Sequence, residues 1–323
     1  MSSIKSLKIG LVGVGHLGKI HLKCIFNTPF TLVGFYDEDA FLREVVASEH
    51  NVKAYTSLEE LVDACDCIDV VAPTTAHYEI AKIAIERRRH VFIEKPVTET
   101  IEQAKKLFDL AQKHDVKVQV GHVERYNPAI LSMKDVPLQP KFIEAHRLAI
   151  FNPRGTDVSV VLDLMIHDID IVLSMIKSPV KHISANGVSI VSTTPDICNA
   201  RIEFDNGAVA NLTSSRISLK NMRKIRIFQE NAYISMDFLE KSAQIVQIED
   251  ALEGEENGMT ISTNSGLKRI TIDSPSIMTN NAIVDELTDF YYTIAEHKPV
   301  SVSLADGIRA LEVAFEIQTI ITK

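Results

Sequence analysis

The chain has 323 residues, enough for two domains that each bury a core, and 46% hydrophobic residues without a low-complexity tract exclude a disordered or fibrous protein. A formal net charge of −9, from 43 acidic against 34 basic residues, speaks against nucleic-acid and anionic-membrane partners, which require a concentrated basic surface. Four cysteines (Cys24, Cys65, Cys67, Cys198) without framework spacing, no export signal before Lys8 and no apolar window near the roughly 18 residues of a membrane span fit a cytoplasmic protein with reduced thiols.

Up to about Gly121, short apolar runs alternate with amphipathic stretches, the rhythm of β-α units feeding a doubly wound parallel sheet. The strands are expected at Lys8–Val12, Thr31–Tyr36, Cys67–Ala72, His90–Ile93 and Lys117–Val120, with helices near 16–27, 39–49, 57–64, 76–88 and 98–114 between them. Ser57 followed by Glu60 reads as a capping box. After Gly121 the alternation breaks at Pro128, Pro137 and Pro140, and an apolar helix follows at about 160–176. Strand-like runs come next at Ile183–Val191, Asn199–Phe204, Ala208–Ser215, Lys224–Phe228 and Ala232–Phe238, with Asn206-Gly207 as a hairpin signal. The polar stretch Glu249–Asn281 reads as long hairpin loops, and helices near 282–297 and 303–321 close the chain. The expected organisation is a Rossmann domain over 1–121 and an α+β domain with a mainly antiparallel sheet over 122–323, the last helix being a candidate to pack back on the first domain.

Gly13-Val14-Gly15-His16-Leu17-Gly18 follows the first strand and opens a helix. In that context Gly13 and Gly15 let the backbone approach a pyrophosphate, and the helix N-terminus, with His16 and Leu17 in its first turn, supplies amide donors. Asp37, nineteen residues after Gly18 at the end of the second strand, is placed to accept from the adenosine ribose; capping the next helix is its other reading. A 2′-phosphate about 4 Å from that carboxylate would meet repulsion of order 4 kcal/mol at an effective dielectric near 20. NAD is therefore expected over NADP, with Glu38 and Asp39 adding charge of the same sign. Ligands collect at the C-terminal ends of strands in such sheets. Pro73, Thr74 and His77, then Glu94-Lys95-Pro96, then Gly121-His122 fall at three such ends; prolines there also simply stop strands.

The helix at 160–176 is apolar nearly all round, yet Asp163, His167, Asp170 and Ser174 recur at i, i+4, i+7 and i+11 on one face. A polar stripe on a buried helix must meet partners. A catalytic pair and a hydrogen-bonded structural network are both open on the spacing. No metal is expected, because no further His/Cys cluster completes a ligand set.

Together, Gly-x-Gly-x-x-Gly, Asp37, Glu94-Lys95-Pro96, Arg125-Tyr126-Asn127-Pro128 and Asp163-x-x-x-His167-x-x-Asp170 resemble the glucose–fructose oxidoreductase/inositol dehydrogenase (Gfo/Idh/MocA) family over essentially the whole chain. The resemblance implies a Rossmann domain joined to a domain whose large open sheet mediates a homodimer or homotetramer. It also implies hydride transfer between a sugar carbinol and nicotinamide. On this chain it makes His167 the general base, Asp163 its orienting carboxylate and Lys95 a donor to the developing oxyanion or a partner in the proton relay. A His titrating near 6.5 needs less adjustment to act as base than a Lys near 10.4. The segments Gly121–Ile130 and Arg154-Gly155-Thr156-Asp157 are more narrowly similar to bacterial sugar-nucleotide members. They point to Arg125, Asn127 and Arg154, with Asp170, as substrate contacts and to UDP-N-acetylglucosamine oxidised at C3 as the specific candidate. Arg147 and Arg216 are further arginines that could meet a sugar or pyrophosphate. The alternatives are a free-sugar or polyol dehydrogenase and a non-catalytic dinucleotide-binding regulator.

Overall fold

The computed structural model describes residues 6–152, 158–251, 259–264 and 266–322. The chain divides into two compact units: Met1–Tyr126 with Asn281–Glu312, and Asn127–Asn280 with Val313–Lys323.

The first unit is a Rossmann domain. Strands β1 (Lys8–Val12), β2 (Thr31–Tyr36), β3 (Cys67–Val70), β4 (His90–Glu94) and β5 (Val118–Gly121) form a wholly parallel sheet in the order β2-β1-β3-β4-β5. Helices α1 (His16–Ile25), α2 (Ala40–His50), α3 (Leu58–Ala64), α4 (Thr74–Glu86) and α5 (Ile101–His114) make the crossovers. β3 and β5 are buried at every residue, because both faces of a parallel sheet are covered. A 3-10 turn, Val123–Tyr126, follows β5.

Helix α8 (Ala282–Ala295), far later in the chain, belongs to this unit. It places Leu287, Phe290, Tyr291 and Ile294 in the core with Ile9, Leu11, Leu22 and Phe92. Each such side chain contributes about 1.5–3 kcal/mol on burial. The start of the last helix, α9 (Leu304–Ile321), is also counted with this unit.

The second unit opens with α6 (Pro128–Leu131) and contains a nine-stranded sheet in the order β13-β14-β12-β11-β10-β6-β9-β8-β7. Its strands are β6 (Phe142–Ile150), β7 (Val180–Val188), β8 (Ile197–Phe204), β9 (Val209–Ser218), β10 (Met222–Gln229), β11 (Ala232–Asp237), β12 (Ser242–Asp250), β13 (Met259–Thr263) and β14 (Gly266–Asp273). Only β6 and β9 pair in parallel; the other pairings described are antiparallel. Asn206-Gly207 turns β8 into β9 with Gly207 at φ 83°. A π-helical turn, Val161–Met165, leads into α7 (Ile166–Met175), which packs on β6 and β9.

Three readings fail here, the first being that no strand is expected over 239–248, where most of β12 lies. The proline-rich segment ends in β6, whose alternation places Ile143, Ala145 and Arg147 on the covered face. The polar stretch after Glu249, read as loops, contains β13 and β14. Both are largely exposed on the two faces, so no apolar periodicity marks them.

Candidate active site

Gly13 leaves β1 at φ 92°, and a Cβ there would lie 2.6 Å from the Ala72 backbone nitrogen, so no side chain fits. Gly15 is the N-cap of α1; no side chain caps that helix, and a Cβ on Gly15 would meet nothing within 4 Å. The first amides of α1 therefore open on unfilled space beside bare backbone, with His16 and Leu17 exposed in the first turn. Such a helix end receives a pyrophosphate.

Asp37 follows β2 and accepts the Val14 N–H at 2.8 Å through Oδ2 and the Asp39 N–H at 3.0 Å through Oδ1. The helix cap at this point is Asp39, which accepts from the Phe41 and Leu42 amides. Each carboxylate oxygen takes two donors, so Asp37 has capacity for ribose hydroxyls while it holds the glycine turn. Arg43 donates to the main-chain oxygens of Asp37, at 2.5 Å, and Glu38, at 3.2 Å.

At the other strand ends, Pro73 is the exposed N-cap of α4 and Thr74 its first residue. The sequence places His77 and Glu94 at the cofactor, whereas the structure turns both inward. His77 is 1% exposed, with ring nitrogens 3.0 Å from the Pro96 carbonyl and 2.8 Å from the Ala72 carbonyl, and burial holds its pKa below the ordinary value. It ties the loop after β3 to the turn after β4. Glu94 is 7% exposed and meets His21 of α1. Lys95 is half-buried, its N–H donating to Glu94 Oε2 at 3.1 Å, and its peptide bond to Pro96 is cis. Arg125 is half-buried in the 3-10 turn, held through its N–H to the His122 carbonyl at 2.9 Å.

The second unit carries Asp163 in the π-helical turn and His167 in α7, both half-buried. The wider turn shifts what precedes it around the helix axis, so the constant 3.6-residue stripe read from the sequence holds only from His167 onward. Asp170 is 1% exposed, enclosed rather than presented as a substrate contact. Asn127 is also committed to the fold: Oδ1 caps α6 at the Ala129 N–H, 3.1 Å, and Nδ2 donates to the Phe238 carbonyl at 3.2 Å. Arg154 lies outside the described residues. Arg216 donates to the Val158 carbonyl at 2.5 Å.

Two features escaped sequence reasoning. Asp168, off the polar stripe, forms a bidentate pair with Arg147: Nη2 to Oδ1 at 2.8 Å and Nε to Oδ2 at 3.0 Å, with side chains 3% and 5% exposed. A charge on the covered face of a strand would have signalled it, had β6 been recognised. The other is His21, whose buried ring lies between Asp69 and Glu94. Among the described residues, the one group of metal-type donors within 4.8 Å of one another is His21, Glu94 and Glu286. All four cysteines are buried and unbridged, and burial pushes their thiol pKa values up, Cys65 and Cys198 to about 12, so they stay protonated and unreactive. No helix among the described residues is long and apolar enough to cross a membrane.

Residues 7–122 match the family model described as an oxidoreductase family with an NAD-binding Rossmann fold, and residues 142–235 match the GFO/IDH/MocA C-terminal domain. The chain is 32% identical over 313 residues to UDP-N-acetylglucosamine 3-dehydrogenase of Acidithiobacillus ferrooxidans, an alignment covering 97% of this chain and 96% of that one. A structure of that enzyme superposes with a TM-score of 0.89 at 31% identity, covering 98% of both chains. Myo-inositol 2-dehydrogenase of Thermotoga maritima is 23% identical over 94% of this chain and 93% of its own. The glycine turn, Asp37 and Lys95 fall in the first matched region, Asp163 and His167 in the second, and one relative aligns from end to end: the chain belongs to the Gfo/Idh/MocA family of NAD-binding oxidoreductases.

Proposed function

We propose that the chain is an NAD-dependent dehydrogenase that oxidises a carbinol of a nucleotide sugar, with UDP-N-acetylglucosamine at C3 as its substrate. The observation that carries this reading is the 32% identity over 97% of the chain to an enzyme of that name, in a sequence that contains Lys95, Asp163 and His167. The bound nicotinamide supplies the hydride acceptor. His167 takes the proton from the substrate hydroxyl oxygen as hydride leaves the carbon that bears that hydroxyl. Asp163 orients and charges-stabilises the imidazolium that forms, and Lys95 donates to the oxygen as it becomes a carbonyl. Arg125 and Arg154 contact the substrate, with Arg125 set immediately after β5.

The preference for NAD rests on the Asp37 carboxylate, which is fixed by Val14 and Asp39 and would repel a 2′-phosphate. We place the enzyme in the cytoplasm, its buried thiols reduced, as a homodimer or homotetramer assembled through the nine-stranded sheet. The test is NADH absorbance on mixing protein and NAD with UDP-sugars, free sugars and polyols. Turnover of UDP-N-acetylglucosamine and not of free sugars or inositols is the expected result. Tight NAD binding with no turnover in any arm would instead make the protein a dinucleotide-binding regulator.

A further inference from the structure

We propose that His21, carrying a proton on each ring nitrogen, is a positioning residue that clamps Glu94 and thereby the Lys95 turn, and that Glu286 beside it is held as the neutral acid. The proposal rests on the reading of Lys95 as a catalytic donor.

The His21 side chain is fully buried. Its Nδ1 is hydrogen-bonded to Asp69 Oδ2 on β3 at 2.9 Å, and its Nε2 lies at ion-pair distance, 3.2 Å, from Glu94 Oε1 at the end of β4, without hydrogen-bond alignment. A neutral imidazole has one N–H and one lone pair, so one of these two contacts would set a lone pair against a carboxylate oxygen. With two carboxylates at the ring, and not the neutral carbonyls that His77 meets, a proton on both nitrogens turns the second contact from repulsion into attraction. Burial pulls the His21 pKa down, but the charges and hydrogen bonds of Asp69 and Glu94 reverse this and leave it well above the ordinary value.

Glu94 is then held from three sides. His21 meets Oε1, the Lys95 N–H donates to Oε2, and Gly121 leaves the space: a Cβ there would stand 2.7 Å from Oε1. The carboxylate thus fixes the first peptide of the turn that carries Lys95.

Glu286 of α8 is completely buried, with no hydrogen-bond partner on either carboxyl oxygen, beside Glu94, Asp69 and His21. Burial first, and the Glu94 charge second, raise its pKa well above the ordinary value. Other described groups facing the cluster are the thiol of Cys24 on α1, the amide of Gln119 on β5, which donates to the Glu286 main-chain oxygen at 2.9 Å, and the Tyr126 hydroxyl, which donates to Asp289 at 2.7 Å. A divalent cation is the rival occupant, since His21, Glu94 and Glu286 present three donors within 4.8 Å.

Four measurements on the full chain decide. Long-range 1H–15N imidazole spectra at pH 8 should contain one ring protonated on both nitrogens that is missing from folded His21→Gln; no such ring in the wild type, or one that persists in the variant, would overturn the proposal whether or not a substrate is ever found. For Glu286→Gln the sign follows from a folded-state pKa above the unfolded value near 4.5: the acid costs stability increasingly as pH rises past 4.5 toward the folded value. Its Tm should therefore match wild type at pH 5 and exceed it at pH 8; a lower Tm at pH 8 would mean that the charge is needed. Zn2+ or Mn2+ added alone to chelator-stripped protein should leave Tm unmoved, and a rise that Glu286→Gln abolishes would assign the cluster to a cation. With a substrate in hand, His21→Gln should lower kcat roughly a hundredfold and alter its pH profile while NAD affinity stays within about threefold. A wild-type kcat and pH profile in a folded variant would remove the link to Lys95.

Discussion

The two units build their candidate site residues by different means. In the first unit, backbone geometry does the work: a glycine at φ 92°, an uncapped helix end and strand termini that place Asp37 and Lys95. In the second, Asp163 and His167 sit on one helix that changes pitch between them, beside the buried Arg147–Asp168 pair. Backbone-made sites leave marks at fixed spacing in the sequence. Sites made by side chains crossing between elements do not, because the partner is distant in the chain and its element has to be recognised first.

The largest effect should separate chemistry from binding. His167→Ala should lower kcat by about 10²–10⁴-fold, the usual worth of a positioned general base, and leave the NAD dissociation constant unchanged. Steady-state rates with UDP-N-acetylglucosamine and NAD titration by fluorescence measure the two. If kcat survives, the polar stripe of α7 is structural and the second unit contributes no base.

Next in size is the buried Arg147–Asp168 pair. Asp168→Ala leaves the Arg147 guanidinium buried without its bidentate partner and should destabilise the fold by about 3–5 kcal/mol. Replacing both residues, Arg147→Met with Asp168→Leu, should recover most of the loss, because two desolvated charges are removed together. Denaturant midpoints of the single and double variants test this; a double variant as weak as Asp168→Ala would mean that the pair holds the helix by geometry and not by charge balance.

What could be read in the sequence divides along the same line. All five parallel strands start within one residue of the expected positions, because an apolar run bounded by turn residues needs no knowledge of its neighbours. β6 was masked by Pro137 and Pro140 just before it, and β13 and β14 by exposure on both faces. The π-helical turn left no periodic mark either, since one wider turn in an almost wholly apolar helix does not alter its composition. Glu94 ends β4 and His77 lies near the start of α4, and which way each side chain turns depends on His21 and on the Pro96 carbonyl, both supplied by other elements.

A smaller effect should sharpen the reading of the first unit. Asp37→Ser removes the repulsion toward a 2′-phosphate and one acceptor for the ribose, so NAD affinity should fall roughly tenfold, about 1.4 kcal/mol, while NADP binding improves. Serine can still accept from a nearby amide, which limits damage to the Val14 contact. Unchanged relative affinities for NAD and NADP would show that Asp37 serves the glycine turn alone.

The smallest effect tests how far local chemistry in the first unit follows sequence spacing. Ser57 and Glu60 have the spacing of a capping box, yet Ser57 accepts the Glu60 N–H only at 3.4 Å and gives its own hydroxyl to Glu59 at 2.8 Å. The reciprocal box is at Thr100 and Gln103, where the Thr100 oxygen accepts the Gln103 N–H at 3.2 Å and Gln103 Oε1 accepts the Thr100 N–H at 3.3 Å. Thr100→Ala should therefore cost about 1 kcal/mol, and Ser57→Ala less than half of that. The two caps open different helices of one parallel sheet, so denaturant midpoints of the two variants compare them directly. An equal loss at both sites would mean that the long Ser57 contact is as good as the reciprocal one, and that spacing alone is a sufficient guide to caps in this unit.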